Sequence, residues 1–116
     1  MSGRRDLARH LAARILSLPG VRGEKSRWTT SSNAYYVGSR EFAHFHNEGD
    51  IDVRLTKRVQ RERAPSLRND TRVKLRERPS EWVALSLRRT RDVDYAFEMV
   101  KLALEANRSD NSKASS

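Results

Sequence analysis

Two periods divide the apolar positions of this chain. In residues 6–18, DLARHLAARILSL, Leu7, Leu11, Ile15 and Leu18 recur three or four apart. That spacing lines one face of an α-helix, with Arg9, His10 and Arg14 on the other, and Pro19-Gly20 stops it. The same period returns in residues 90–108, TRDVDYAFEMVKLALEANR, where Val93, Ala96, Phe97, Val100 and Leu104 make the buried stripe. Thr90 suits the N-cap of this helix, and Asp92 and Asp94 suit its positive first turn.

Between these helices the period is two. NAYYVGSREFAHFH, residues 33–46, reads as two strands joined by the two-residue turn Gly38-Ser39, and NEGD turns the chain into a third strand, IDVRL. TKRVQRERA predicts a short helix capped by Thr56 and ending before Pro65, followed by a loop over residues 65–71. RVKLRE and EWVALSLR predict a second hairpin, with Val83, Leu85 and Leu87 on one side and Trp82, Ala84 and Ser86 on the other. Residues 21–33 show no period; Trp28 is the expected core anchor there, and Ser31 and Ser32 are expected turn residues.

The order predicts a single α+β domain over residues 1–108, with residues 109–116 a disordered polar tail. The expected architecture is an antiparallel sheet of about five strands. Two longer helices, N- and C-terminal, pack on one face, and a short helix lies between the two strand groups. A chain of 116 residues suits one domain that buries about two-thirds of its unfolded surface.

The first hairpin poses the chemical question. In EFAHFHNEGDIDVRL, residues 41–55, His44 and His46 share one strand face, and Ala43 and Phe45 the other. A two-residue turn pairing His46 with Ile51 mixes polar and apolar residues on both faces. A register with His46 opposite Asp52 separates them, at a gain of about 1.5–3 kcal/mol for each large side chain buried. The separated register is expected. It puts Ala43, Phe45, Ile51, Val53 and Leu55 in the core, and His44, His46, Asp52 and Arg54 together on the face away from the helices.

Composition narrows the chemistry. The absence of cysteine removes disulfides, thiolate zinc sites and cysteine nucleophiles, and gives no support for an oxidising compartment. No apolar run approaches the roughly 20 residues of a membrane span, so no membrane partner and a cytoplasmic location are expected. The net charge is +9, and ten basic residues against three acidic ones fall between Arg54 and Arg78. That excess predicts an anionic partner, nucleic acid included, held by Arg54, Lys57, Arg58, Arg61, Arg72, Lys74 and Arg76. A solvated basic face is the plainer account of the same charges.

Two stretches carry a family resemblance. VGSREFAHFHNEGDIDVRL, residues 37–55, follows a pattern of a hydrophobic strand, Gly-x-Arg-Glu, x-His-x-His, a short loop and Asp followed by apolar residues. WVALSLRRTRDVDYAFEMVKL, residues 82–102, follows a second, with Trp-Val, an alternating strand and an Asp-Val pair opening a helix; LPGV, residues 18–21, fits the start. Over roughly residues 7–106 the chain resembles the small luciferase-family domain. The resemblance implies a compact fold and the His-x-His plus Asp feature. The chain is too short for the flavin-dependent luciferase barrel, which needs about 250 residues.

Three functions follow as expectations. The first is a small basic module binding an anionic ligand or nucleic acid, with no cofactor. The second is a small metal-dependent or acid–base enzyme using His44, His46 and Asp52, since two imidazoles at i and i+2 with a carboxylate opposite suit a transition metal or proton transfer. The third is an accessory domain whose exposed sheet face docks another protein.

Overall fold

In the computed structural model, residues 3–24, 34–47 and 49–115 are described. Helix α1 (Arg4–Leu16) leads into strand β1 (Val21–Glu24), followed by β2 (Ala34–Val37), β3 (Arg40–Asn47) and β4 (Asp50–Arg54). Helices α2 (Thr56–Glu62) and α3 (Ala64–Asn69) lead to β5 (Val73–Leu75), β6 (Trp82–Ser86) and the long helix α4 (Thr90–Ser115). The strands form one antiparallel sheet in the order β1-β2-β3-β4-β6-β5. This is the expected α+β architecture with one strand more than expected. Val21–Glu24 has no alternating pattern because it is an edge strand, half-buried at Val21 and exposed elsewhere, so only its pairing with β2 marks it.

The helices cover one face of the sheet. α4 crosses β2, β3 and β4, and α1 packs against α4 and β1. Their apolar stripes meet Tyr35, Ala43, Phe45, Ile51, Val53, Val83 and Leu85 in one core. Burial of these side chains is the main force holding the layers together. Tyr35 and Phe45 meet edge to face at 6.1 Å, and burial pushes the Tyr35 phenol up to about 12. Phe97, expected in the stripe, turns to its edge, where the Arg14 guanidinium lies 4.2 Å from its ring; Met99 and Ala103 are buried instead. Arg14 also bonds Asp94 at 2.6 Å, tying the two long helices at the surface.

Turn chemistry follows the sequence closely. Gly38, at φ 61°, allows the two-residue turn between β2 and β3. The loop expected at residues 65–71 instead holds α3, with Pro65 in its first turn, where the missing N–H costs nothing. Thr56 accepts the Val59 N–H at 3.4 Å, as a cap would, but at φ 76°, a left-handed conformation that a β-branched residue rarely adopts. At the start of α4 the capping oxygen comes from Asp92, which accepts the N–H groups of Arg88 and Arg89 at 2.8 and 2.9 Å. The backbone of α4 stays helical to Ser115, through residues where the sequence predicts a polar tail.

Trp28, Ser31, Ser32 and Glu48 lie outside the described residues. No helix among the described residues is long and apolar enough to cross a membrane.

Candidate functional site

Strand β3 builds the site, and two bulges arrange it. Strict alternation would place Glu41 with Ala43 and Phe45, on the helix side of the sheet and away from His44. The pairing with β2 breaks that alternation. Tyr35 faces Ala43 and Tyr36 faces Glu41, so Phe42 is an extra residue, fully buried in the core. The extra residue turns Glu41 to the far face of the sheet, beside His44.

The second bulge is at His46. Phe45 pairs with Ile51 and Asn47 with Asp50, so His46 is the unpaired residue. A two-residue turn over Glu48-Gly49 alone would have mixed the faces of this hairpin. One added residue restores the separation of polar and apolar sides. The expected faces therefore form, but through a different register, with His44 and not His46 opposite Asp52. The turn is fastened by the Gly49 N–H donating to Asn47 Oδ1 at 2.8 Å and by the Leu87 N–H donating to the Gly49 carbonyl at 2.8 Å.

The result is a chain of three ionisable side chains. His44 Nδ1 lies 2.9 Å from Glu41 Oε1, and His44 Nε2 lies 3.0 Å from Asp52 Oδ2. All three residues are 5% exposed, where a solvated polar face was expected. Trp82 sits beside the imidazole with ring centres 5.0 Å apart, and the Tyr36 hydroxyl donates to Glu41 Oε2 at 3.4 Å.

Protonation follows from the geometry. A neutral imidazole has one N–H, so it can donate to only one carboxylate. The imidazolium has two and can donate to both. Burial works against that charge, but the hydrogen bonds and charges of Asp52 and Glu41 outweigh it and hold the His44 pKa above its ordinary value. Arg76 Nη2, 3.4 Å from Asp52 Oδ2, brings a fourth charge.

Asp52 connects this buried chain to an open space. On the far face of β4, β5 and β6 lies a groove of about 600 Å³, lined by His46, Asp50, Asp52, Lys74, Arg76, Glu77 and Arg78, with Ala84 and Ser86 among its other walls. That volume suits a small-molecule ligand. His46 is exposed at its rim, whereas His44 stands behind Asp52.

The remaining candidates are scattered. Arg54 is bonded to Glu81 at 2.7 Å, which holds the Glu81 carboxyl below its usual range. Lys57, Arg58 and Arg61 are exposed on α2, with Arg58 paired to Glu62 at 3.1 Å. Arg72 is engaged by Asp70 through two nitrogens, at 2.9 and 2.7 Å, and its guanidinium lies 3.9 Å from the centre of the Tyr95 ring. Lys74 and Arg76 alone of the expected anion-binding set line the groove. For a metal, the His44 ring offers no lone pair while both nitrogens serve carboxylates. Among the described residues no three His, Asp or Glu side chains form a metal-binding group.

Glu41, Tyr36 and Trp82 are the members of the site that pattern reading passes over. The one signal is the apolar doublet Phe42-Ala43 inside an otherwise alternating strand, which marks an inserted residue.

The family model of the Luciferase domain matches residues 39–103. No curated protein and no solved structure matches the chain. The matched span runs from the turn before β3 into α4 and includes Glu41, His44, Asp52 and the strands that line the groove. Matched over more than half of its length, the chain belongs to the Luciferase domain family.

Proposed function

We propose that this domain binds a small anionic ligand in the groove on the far face of the sheet and exchanges a proton with it through Asp52. The observation that carries this reading is the buried Glu41–His44–Asp52 chain ending at the groove. Burying three ionisable groups is a poor way to stabilise a fold, since apolar residues of similar volume do as well or better. Such groups gather where proton chemistry is done. Here Asp52 is the group that meets the ligand. His44 holds the proton on the far side of Asp52, and Glu41 fixes the imidazole through its other nitrogen. Lys74, Arg76 and Arg78 supply the positive charge that favours an anionic group in the groove.

The test joins binding to exchange. A library of small carboxylic acids is screened by amide shifts, and each ligand found is followed for deuterium uptake from D2O by proton NMR. Ligands shifting residues 50–52, 74–78 and 84–86 are expected, with exchange reduced about 100-fold or more in Asp52→Asn. Exchange unchanged in Asp52→Asn and His44→Gln, or no groove ligand in the library, sinks the reading.

A second reading is nucleic-acid binding along α2. It is supported by exposed Lys57 and Arg61, which have no ion pair among the described residues. Binding of a mixed oligonucleotide that weakens with salt and is lost in Lys57→Gln/Arg61→Gln is its signature.

A further inference from the structure

A second groove, of about 720 Å³, lies between the turn at residues 69–72 and the start of α4, and none of the preceding chemistry uses it. Arg72, Arg88, Arg89 and Arg91 line it, with Asp70 and Asp92 its acidic residues among the described ones. Both acids are already committed. Asp70 holds Arg72 through two oxygens, at 2.9 and 2.7 Å. Asp92 accepts the backbone N–H groups of Arg88 and Arg89, and Arg72 Nη1 lies 3.8 Å from its other oxygen. Those backbone groups are therefore not available to an anion, and any site here is made of side chains.

Arg88, Arg89 and Arg91 remain. All three are exposed and none has an ion pair among the described residues. Three guanidinium groups within four residues repel one another, and an anion between them relieves that repulsion. The fourth arginine is a fixed wall. Arg72 is held from one side by Asp70 and from another by the Tyr95 ring, 3.9 Å from its guanidinium carbon.

We propose that this groove binds a small ligand through a diphosphate or longer phosphate chain. Guanidinium forks match phosphate oxygens in pairs, and several forks in one concavity need several such oxygens. A single carboxylate would engage one arginine and leave the others unmatched. The volume suits a nucleotide-sized molecule. A concave site also favours a small ligand over a nucleic-acid strand, which needs an extended basic track. The proposal goes beyond the acid–base reading and stands without it.

Inorganic diphosphate is the probe, titrated calorimetrically into the full chain and followed by amide shifts. Shifts confined to residues 69–72 and 86–92 are expected. Arg88→Gln/Arg89→Gln/Arg91→Gln should weaken binding about tenfold or more, since hydrogen bonds to charged groups are lost. Arg9→Gln/Arg22→Gln/Lys101→Gln removes the same formal charge away from the groove and should change the affinity less than about twofold. Equal weakening in both variants would show only general attraction to a basic protein and overturn the site. So would a wild-type shift map centred elsewhere. An oligonucleotide that binds at these arginines when diphosphate does not would overturn the small-ligand proposal in favour of nucleic acid. The shift map needs no variant, so it decides the matter even if a triple substitution impairs folding.

Discussion

Replacing His44 by Phe keeps a ring against Trp82 but removes the positive charge that lies between Glu41 and Asp52. Two charge-assisted hydrogen bonds, at 2.9 and 3.0 Å, are lost. At about 1.5–3 kcal/mol each they would sum to about 3–6 kcal/mol. Protonation of a stranded carboxylate limits the damage, so about 3–5 kcal/mol is the expected loss, as for other broken buried pairs. Against a total of about 5–15 kcal/mol for a domain, that is a large fraction. Urea unfolding followed by circular dichroism at pH 6 measures it. The pH dependence carries its own sign. The folded pKa of His44 is raised above the ordinary value of 6.5, so its stabilisation is fully present below pH 6.5 and disappears as the pH rises through the folded pKa. Between those two values wild-type stability should fall by about 1.4 kcal/mol per pH unit from this group, and the variant should lack that slope. The triple variant Glu41→Leu/His44→Phe/Asp52→Leu should recover most of the lost stability, because it also removes the two buried carboxylates that faced the lost imidazole. A loss under about 1 kcal/mol at pH 6, or parallel curves for wild type and His44→Phe from pH 6 to 9, would refute the charged-chain account.

Three further substitutions probe the frame around the site. Thr56→Asn should stabilise the fold by about 0.5–1 kcal/mol in urea unfolding, because Asn tolerates φ 76° and keeps an oxygen for the Val59 N–H; a destabilised variant would show that the threonine is not strained. Asn107 is fully buried, donates to the Arg54 and Ala103 carbonyls at 2.7 Å each and accepts from Arg40 Nε at 3.0 Å. Asn107→Ala should cost about 2–4 kcal/mol by the same measurement. Hydrogen bonding to Arg72 holds the Asp70 carboxyl below 3.8, so its contribution is present above that value and is lost as the pH falls through the folded pKa. Asp70→Asn should make acid unfolding shallower below about pH 4; an unchanged acid limb would count against the Asp70–Arg72 pair as a stabilising contact.

Local pattern was enough to place the two long helices, the first meander and the second hairpin. Leu7, Leu11 and Ile15 are buried as their spacing predicts, and Val83, Leu85 and Leu87 share the core as alternation predicts. Edge strand β1 was hidden because an exposed strand has no apolar period to read. The separation of faces in the hairpin was also foreseen, since burying Ile51 and Val53 outweighs the alternatives. Its register was not, because neither bulge is visible to a count of twos. That same count hid Glu41. The basic residues looked like one footprint in the sequence, but two helices, two strands and the turns beside them carry them to different places, and Arg54 and Arg72 are taken up by Glu81 and Asp70. Charge density along a chain says little about charge density in space.

The extra residue at Phe42 makes the length of one strand a chemical variable. Deleting a residue between Glu41 and His44 would leave β2 with a straight partner and the turn at Gly38 untouched. The acid would then stand two residues before His44, on the same face of a regular strand, so its reach to His44 Nδ1 would survive. A residue added to β2 opposite Phe42 would do the opposite. With both strands regular and three residues still separating Glu41 from His44, the acid would swing toward α4. One codon gained on β2 would thus convert a two-acid histidine into a one-acid histidine while the hairpin still closed. A length change inside a strand is ordinarily a folding defect. On β2 it would be a toggle on chemistry, set by phase and not by the identity of any side chain at the site.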